Sequence, residues 1–466
     1  MSPQAAQKRL ADVWRGPFGL PMLLVLLGMS WLFYVTHVLD LTPIKNSEGY
    51  LMRSDHSLWS KQFYFGPRPF VTSLMYKLYG STEKSAVLGQ LAFSTISWLV
   101  LTLAFGRLIK NPWLRLLHCL AFPSLMAWWN VMGWNMVMRA ESTAFSWLAL
   151  WFAALVTYCQ KPAVWTAILL GAASFFLCFT RDSLPLLVLP VVGLVLTVEA
   201  LRARARRARA GRARLAAPVR TRLALLVGAL VVIAGLQLST SQSVIHPQFK
   251  TRHEFPLVNV IIQRVLPKRE VRAWFEERGM PVHLEILKWK KRWASGNRFA
   301  IFEKKKYRAF RDWVRSEGKY TYLRYLASHP GYTLKSAFAA RDEIFAHSLG
   351  YYTNKAPKRF PFRALDFVFP LVSPALACLA GLFGLWRCLN RRVDLLTLAF
   401  TAVIPLTLVN GLFVFHMDAM EVARHAILGL VALQIATYAL LLTWRKRPIT
   451  AKGPATLVSE PPGSPD

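Results

Sequence analysis

The stretch PMLLVLLGMSWLFYVTHVLDLTPIKNSEGYLMRSDHSLW, residues 21–59, decides how this chain is read. Its first half is an apolar run long enough to cross a hydrocarbon core as a helix, which takes roughly 17–25 residues. Its second half carries Asp40, Glu48 and Asp55 just past the end of that run. Carboxylates beside lipid are expensive and are kept there for pairing or for chemistry. The side of the membrane they face therefore decides what they can do.

Lys8, Arg9 and Arg15 precede the run, as in a signal peptide, but no small-residue cleavage pattern follows and further apolar spans come after it. It reads as a retained first helix. The 466 residues are 54% hydrophobic, with 17 Trp and 29 Phe, which excludes a soluble two-domain protein and points to an all-α polytopic membrane protein. Candidate spans fall near 17–39, 85–107, 113–131, 142–159, 163–180, 183–200, 223–240, 365–386, 394–415 and 425–444, about ten transmembrane helices. The third, HCLAFPSLMAWWNVMGW, contains Pro123 and a cluster of Trp, so it is expected to be broken or partly interfacial. The five cysteines lie in apolar spans or at their ends without metal-type pairing, and neither a disulfide nor a thiolate metal site is indicated.

The formal net charge of +34 fits either nucleic-acid binding or membrane topology with anionic lipid partners, and the location of the charges separates the two. Basic residues in short loops set orientation. Beyond the N-terminal three come Arg107, Lys110 and Arg115, then Lys161, then RARARRARAGRAR, then Arg387, Arg391 and Arg392, then Arg445, Lys446 and Arg447. Every even-numbered span ends in positive charge, so both termini are expected in the cytoplasm of a multi-pass plasma (cell inner) membrane protein. The Ala/Arg tract is accounted for by this bias and by anionic headgroups, and no nucleic-acid partner is called for. Residues 1–240 form an N-terminal membrane module of about seven helices with an external loop at 40–84. Residues 241–363 form an external helical domain, 364–447 a second membrane module of about three helices, and 448–466 a Pro/Gly/Ser-rich disordered tail.

With this topology Asp40, Glu48 and Asp55 face outward, and so do Arg139 and Glu141 in MVMRAESTAF, Arg181 and Asp182 in FTRDSLP, and Asp418, Glu421, Arg424 and His425 in FHMDAMEVARHAIL. Four separate outer loops bring acids and arginines to one membrane face. In the external domain, KREVRAWFEERG ends in a Gly stop, HLEILKWKKRW carries an apolar stripe, and Phe299, Phe302, Phe310 and Val314 recur at helix-like spacing. The aromatic and basic run KWKKRWASGNRFAIFEKKKYRAFRDW suits anionic headgroups, with an acidic glycan or lipid acceptor as a further reading.

SEGYLMRSDHSLWSKQFYFGPRPFVTSLMYKLYG, residues 47–80, resembles the first external loop of the GT-C glycosyltransferases, in particular their protein O-mannosyltransferase and aminoarabinose-transferase branches. These carry an acid, then an aromatic, then a basic-Pro-Pro-apolar turn leading into a helix that ends in Gly. Here Glu48, Tyr50, the turn Arg68-Pro69-Phe70 and MYKLYG follow that order. The chain departs in having Glu48 where the family usually has Asp, and Phe70 for the second Pro. The resemblance implies a GT-C-like fold and transfer of a sugar from a polyprenyl-phosphate donor to a lipid, glycan or protein acceptor.

Chemistry supports the same reading from the residues. A carboxylate within reach of an acceptor hydroxyl can take its proton, with Glu48 as the base, Asp40 as its alternate and Asp55 as a further candidate. A departing lipid phosphate needs arginines placed in advance, and Arg68, Arg139, Arg181 and Arg424 are on the required side, each with a plainer reading as an interfacial anchor. Glu141 has two readings, catalytic acid and first-turn acid complementing the helix dipole, and Asp182 reads as an intrahelical pair with Arg181 or a cap. Arg424-His425 resembles a phosphate-facing pair that some GT-C members have at this position. No cofactor is required; a divalent metal ion is the open alternative, and HMDAMEVARH offers only weak ligand spacing. The rival function is a multi-pass transporter or lipid flippase. An enzyme needs the first external loop, Glu141 and Arg424 to converge on one cavity.

Overall fold

The computed structural model describes residues 53–65, 68–80, 82–109, 112–209, 217–241, 253–340, 377–387, 394–417 and 422–444, and a few isolated positions. Asp40, Glu48, Tyr50, Asp418 and Glu421, most of the first apolar run and the tail lie outside them. The regular elements among the described residues are all helices, with no strand among them.

The chain runs through α1 (Phe70–Tyr79), α2 (Glu83–Gly106), α3 (Pro112–Ala127), α4 (Ala140–Gln160), α5 (Val164–Cys178), α6 (Pro185–Arg209) and α7 (Ala217–Ser241). A helical domain follows, including α8 (Glu254–Val260), α9 (Lys319–Ser328) and α10 (Pro330–Ala339), and then α11 (Leu395–Met417) and α12 (Val422–Trp444). Six helices, α2, α4, α6, α7, α11 and α12, are long and apolar enough to cross a membrane, and His118–Ala127, Val164–Cys178 and Ala377–Arg387 are shorter apolar helices. This is the architecture of a multi-pass membrane protein.

The third apolar span is broken, as expected, but not at Pro123, which lies inside α3. α3 ends at Ala127, one helical turn covers Trp129–Met132, and a tight 3-10 turn covers Gly133–Met136. Trp128, Trp129 and Trp134 are all buried in the core of the bundle. The break lets the chain reverse into α4 while its polar backbone finds side-chain partners, as irregular backbone inside a bundle must.

Opposite ends of the bundle have different chemistry. At one end the basic connections gather: Arg222 donates to Pro162 O at 2.9 Å, and Arg387 to Thr443 O at 2.6 Å. Glu199 accepts from both Arg222 and the Tyr158 hydroxyl. Asp394 caps α11 by accepting from Thr397 N at 2.6 Å. At the other end α1 lies across the bundle, with Phe70, Val71, Thr72, Ser73, Met75 and Tyr76 buried. Its start is tied to the end of α5 by Val71 N donating to Phe179 O at 3.3 Å and by Phe70 packing on Phe179, centroids 5.3 Å apart. Its stop is Gly80 at φ 107°, a left-handed value that costs an L-residue but not glycine. The expected Arg-Pro-Phe turn and Gly-terminated helix are therefore both present.

Residues 253–340 have their own core, in which Ile261, Ile262, Val265, Phe275, Ile301 and Phe310 are fully buried. Helix Arg269–Glu276 closes near Gly279 at φ 82°, where the Gly stop was expected. The stripe HLEILKWKKRW departs from expectation. It forms a single turn of helix, Leu284–Leu287, and then leaves the helical path. Lys291 adopts φ 59° and its N–H reaches Ile262 O at 3.3 Å, while Trp289 turns inward against Tyr307. Tertiary packing of a large aromatic overrides local helical periodicity here.

This domain is seated on the end of α11. Arg264 donates to Phe415 O and stacks 3.7 Å over the Phe415 ring. His416 donates from Nε2 to Thr333 O at 2.9 Å, which leaves Nδ1 to accept from the Tyr322 hydroxyl at 3.3 Å.

Candidate functional site

The short turn Thr180–Leu184 between α5 and α6 presents Arg181, and the first turn of α12 presents Arg424 and His425. Both arginines reach Glu141 in the first turn of α4. Arg181 Nη1 lies 2.7 Å from Glu141 Oε1, and Arg424 Nε donates to the same oxygen. Glu141 is 0% exposed, Arg181 7% and Arg424 5%. A carboxylate so buried is tolerable only when paired, and here it is paired twice. Glu141 Oε2 is buried and accepts no hydrogen bond from the described residues.

Arg181 makes two further contacts. Its Nη1 is 3.4 Å from Arg424 O, and its Nη2 is 2.6 Å from His425 Nδ1. A guanidinium has no acceptor, so His425 Nδ1 must be the lone-pair nitrogen and Nε2 the one that carries the proton. Arg424 also lies over the Trp134 ring, 6.0 Å from its centroid.

The scaffold beneath this group comes from the broken third span. Gln90 Nε2 donates to Asn135 O at 3.0 Å, and Ser142 Oγ to Asn135 Oδ1 at 2.6 Å. The Tyr76 hydroxyl stands 2.9 Å from Gln90 Oε1 and 3.2 Å from Arg139 O. Residues of α1, α2 and α4 thereby fix the backbone on which Glu141 is mounted. Buried polar groups that are bonded to one another specify one arrangement.

A cavity of about 570 Å³ opens in front of the arginines. Its wall is charged on one side, with Arg68, Arg181, Asp182, Arg424 and His425, and apolar on another, with Pro185 and Leu186 of α6, Leu238 of α7 and Phe413 of α11. A third side comes from the 253–340 domain: His253, Pro256, Leu257 and Lys319. Burial holds the His253 imidazole below its ordinary value, the Lys319 ammonium adds to that, and the Glu254 carboxylate opposes it.

The structure thus brings together Arg68, Arg181, Asp182, Arg424 and His425. Glu141 lies behind the wall and not on it, so its expected catalytic contact is replaced by a hold on two arginines. Arg139 stands at the N-cap of α4 and lines no part of the cavity. Asp55 is exposed in the first loop, also off the cavity wall. In the segment tested for metal ligands, His416 and His425 are both engaged by protein groups, and among the described residues no group of three or more His, Cys, Asp or Glu could hold a metal ion.

Several residues were not legible in the sequence. Arg53 is buried and donates to Phe63 O and Arg68 O, so it fixes the turn that delivers Arg68. Lys77 ties α1 to the same loop through Ser54 O at 2.9 Å and His56 O at 3.2 Å. Gln237 reaches Cys178 O at 2.9 Å from α7 and lines the cavity. An isolated polar residue at the end of an apolar span was the only available signal for Gln237. Compared with known protein families, with characterised proteins and with solved structures, the chain matches none of them.

Proposed function

We propose that this chain is an integral membrane glycosyltransferase of GT-C type, which moves a sugar from a polyprenyl-phosphate donor to an acceptor at the outer face of the plasma membrane, with both termini cytoplasmic. One observation carries the reading: Arg68, Arg181 and Arg424, more than 100 residues apart in sequence, converge on one cavity whose other wall is apolar. A lipid-linked phosphate has this amphiphilic character, and a wall of arginines suits its anionic head better than point charges do.

In the reaction the acceptor hydroxyl oxygen bonds to the anomeric carbon of the sugar as the bond from that carbon to the phosphate oxygen breaks. Polyprenyl phosphate leaves with the electron pair. Arg68, Arg181 and Arg424 stabilise the charge that develops on it, and His425, with its proton on Nε2, adds a donor on the same wall. Glu141 acts as a positioning residue: it holds two guanidinium groups in place before substrate arrives, so little reorganisation is needed as charge develops. The hydroxyl proton passes to a carboxylate of the first loop, Glu48 in preference to Asp40. Asp182, on the cavity wall, would shape the sugar's surroundings, and Tyr50 is a further candidate from the first loop. No step requires a metal ion.

The test is an assay of the purified protein with a panel of polyprenyl-phosphate sugars and an envelope extract as acceptor source. Donor-dependent labelling of an acceptor that vanishes in Arg424→Ala is the expected result. Movement of intact lipid across a vesicle membrane without sugar transfer would overturn this reading in favour of a flippase.

A further inference from the structure

The 253–340 domain supplies cavity residues that donor binding does not need. Lys319 and His253 stand on the wall formed by that domain, apart from the arginines carried by the membrane helices and the Arg68 turn. Their presentation is built with some care. Lys319 follows directly on a π-helical turn, Val314–Gly318, a rare conformation that concentrates at functional sites. Within that turn Arg315 pairs at 3.0 Å with Glu254, which is 2% exposed and adjoins His253 in sequence. Gly318 packs in ordinary contact with the Leu257 and Trp313 side chains. The segments that carry the two cavity residues are thus joined by an ion pair and by packing.

The charge on the walls points the same way. Arg68, Arg181, Arg424 and Lys319 line the cavity with Asp182, and Glu141 lies behind two of the arginines. A polyprenyl-phosphate sugar is a phosphodiester and carries one negative charge. The arginines of the membrane helices and the Arg68 turn meet that charge, which leaves Lys319, on the wall of the 253–340 domain, as a cation that donor binding does not use. The rest of the domain has the same bias, with 19 Lys and Arg against 8 Asp and Glu over residues 253–340.

We infer that Lys319, with His253, forms the acceptor side of the cavity and selects an acceptor carrying a negative charge, such as a carboxylated or phosphorylated glycan. The inference rests on the transferase reading above. Lys319 is here a specificity-determining residue: it touches acceptor and leaves the donor phosphate to the arginines.

The experiment uses the full-length protein in lipid nanodiscs, a labelled polyprenyl-phosphate sugar, and an envelope extract whose labelled product is separated by anion exchange. The product is expected to bind the exchanger through a charge other than that of the donor. In Lys319→Gln the KM for acceptor should rise about ten- to a hundredfold, the loss expected for one charge-assisted hydrogen bond, with kcat and the KM for donor unchanged. Lys319→Arg should restore most of it. A neutral product, or an unchanged acceptor KM in Lys319→Gln, would overturn the inference while leaving the transferase intact. A second arm measures binding of polyprenyl monophosphate and polyprenyl diphosphate to wild type and Lys319→Gln. If the substitution weakens only the diphosphate, the extra charge belongs to the donor and the acceptor assignment is wrong. If wild-type protein consumes no donor at all, it is the transferase reading that fails, and this inference fails with it.

Discussion

Two buried carboxylates near opposite ends of the bundle make an instructive pair. Glu199, among the basic connections, accepts from Arg222 on one oxygen and from the Tyr158 hydroxyl on the other, and Arg222 spends a further donor on Pro162 O. The group joins three helices, and within it Arg222 Nε is buried with no hydrogen-bond partner among the described residues. Glu141, at the other end, takes Arg181 and Arg424 on one oxygen while its other oxygen accepts nothing from the described residues, and both arginines continue to the wall of a cavity. At Glu199 both carboxylate oxygens are engaged by protein groups. A site leaves charge aimed at space that a ligand can enter, and accepts the desolvation cost to do so.

The strongest way to sharpen this contrast is to remove the proposed base. Glu48→Gln keeps the shape of the side chain but cannot accept a proton, so transfer should fall by about 10² to 10⁴-fold with expression and helix content unchanged. Full turnover in Glu48→Gln with loss in Asp40→Asn would move the role to Asp40.

Next come the two carboxylates themselves. Glu141→Ala strands two buried arginines and should destabilise the protein by about 3–5 kcal/mol, while Glu199→Ala strands the partly buried Arg222 and should cost less, both read as a lowered Tm in detergent. Transfer measured below both transitions should vanish only in Glu141→Ala. Equal loss of transfer in both variants would break the distinction between a site and a strut.

A smaller effect is expected from Arg424→Lys. Charge and insertion are retained but the two-point grip on phosphate is lost, which costs roughly 1.5–3 kcal/mol of charge-assisted bonding, or about ten- to a hundredfold or slightly more in kcat/KM for donor. Arg222→Lys, made at the Glu199 end as a control, should leave transfer unchanged. An unaltered donor kcat/KM in Arg424→Lys would end the phosphate-binding role.

The smallest effect is a pH dependence. The His253 imidazole is held below its ordinary value of about 6.5, chiefly by burial and then by Lys319. The folded state therefore resists a proton that the unfolded chain takes up. Its contribution to stability is fully present above about pH 6.5 and declines as pH falls from there toward the depressed folded value. Wild-type Tm should drop more between pH 7.5 and 5 than that of His253→Gln, and parallel curves would show that the imidazole is not held by its surroundings.

Much of this molecule was decided by local sequence. Apolar length places α2, α4, α6, α7, α11 and α12, because a helix that must satisfy its own backbone in lipid needs a fixed number of apolar residues whatever its neighbours are. Pro123 and the Trp cluster announced a break in the third span, though α3 runs through Pro123 and ends only at Ala127. Arg68-Pro69-Phe70 and Gly80 announced the start and stop of α1, since proline and glycine act on their own dihedral angles. The gathering of Glu141, Arg181, Arg424 and His425 at one face was legible from the order of the loops. Their geometry was not. Only the tertiary structure placed Glu141 behind the two arginines, left Arg139 and Asp55 off the wall, turned HLEILKWKKRW out of its helix after one turn, and brought His253 and Lys319 to the cavity. The physical reason is that a pairing between residues 40 and 283 positions apart, as in Glu141 with Arg181 and Arg424, leaves no trace in the periodicity of either segment: it is selected by which helices pack together, and that choice belongs to the whole chain.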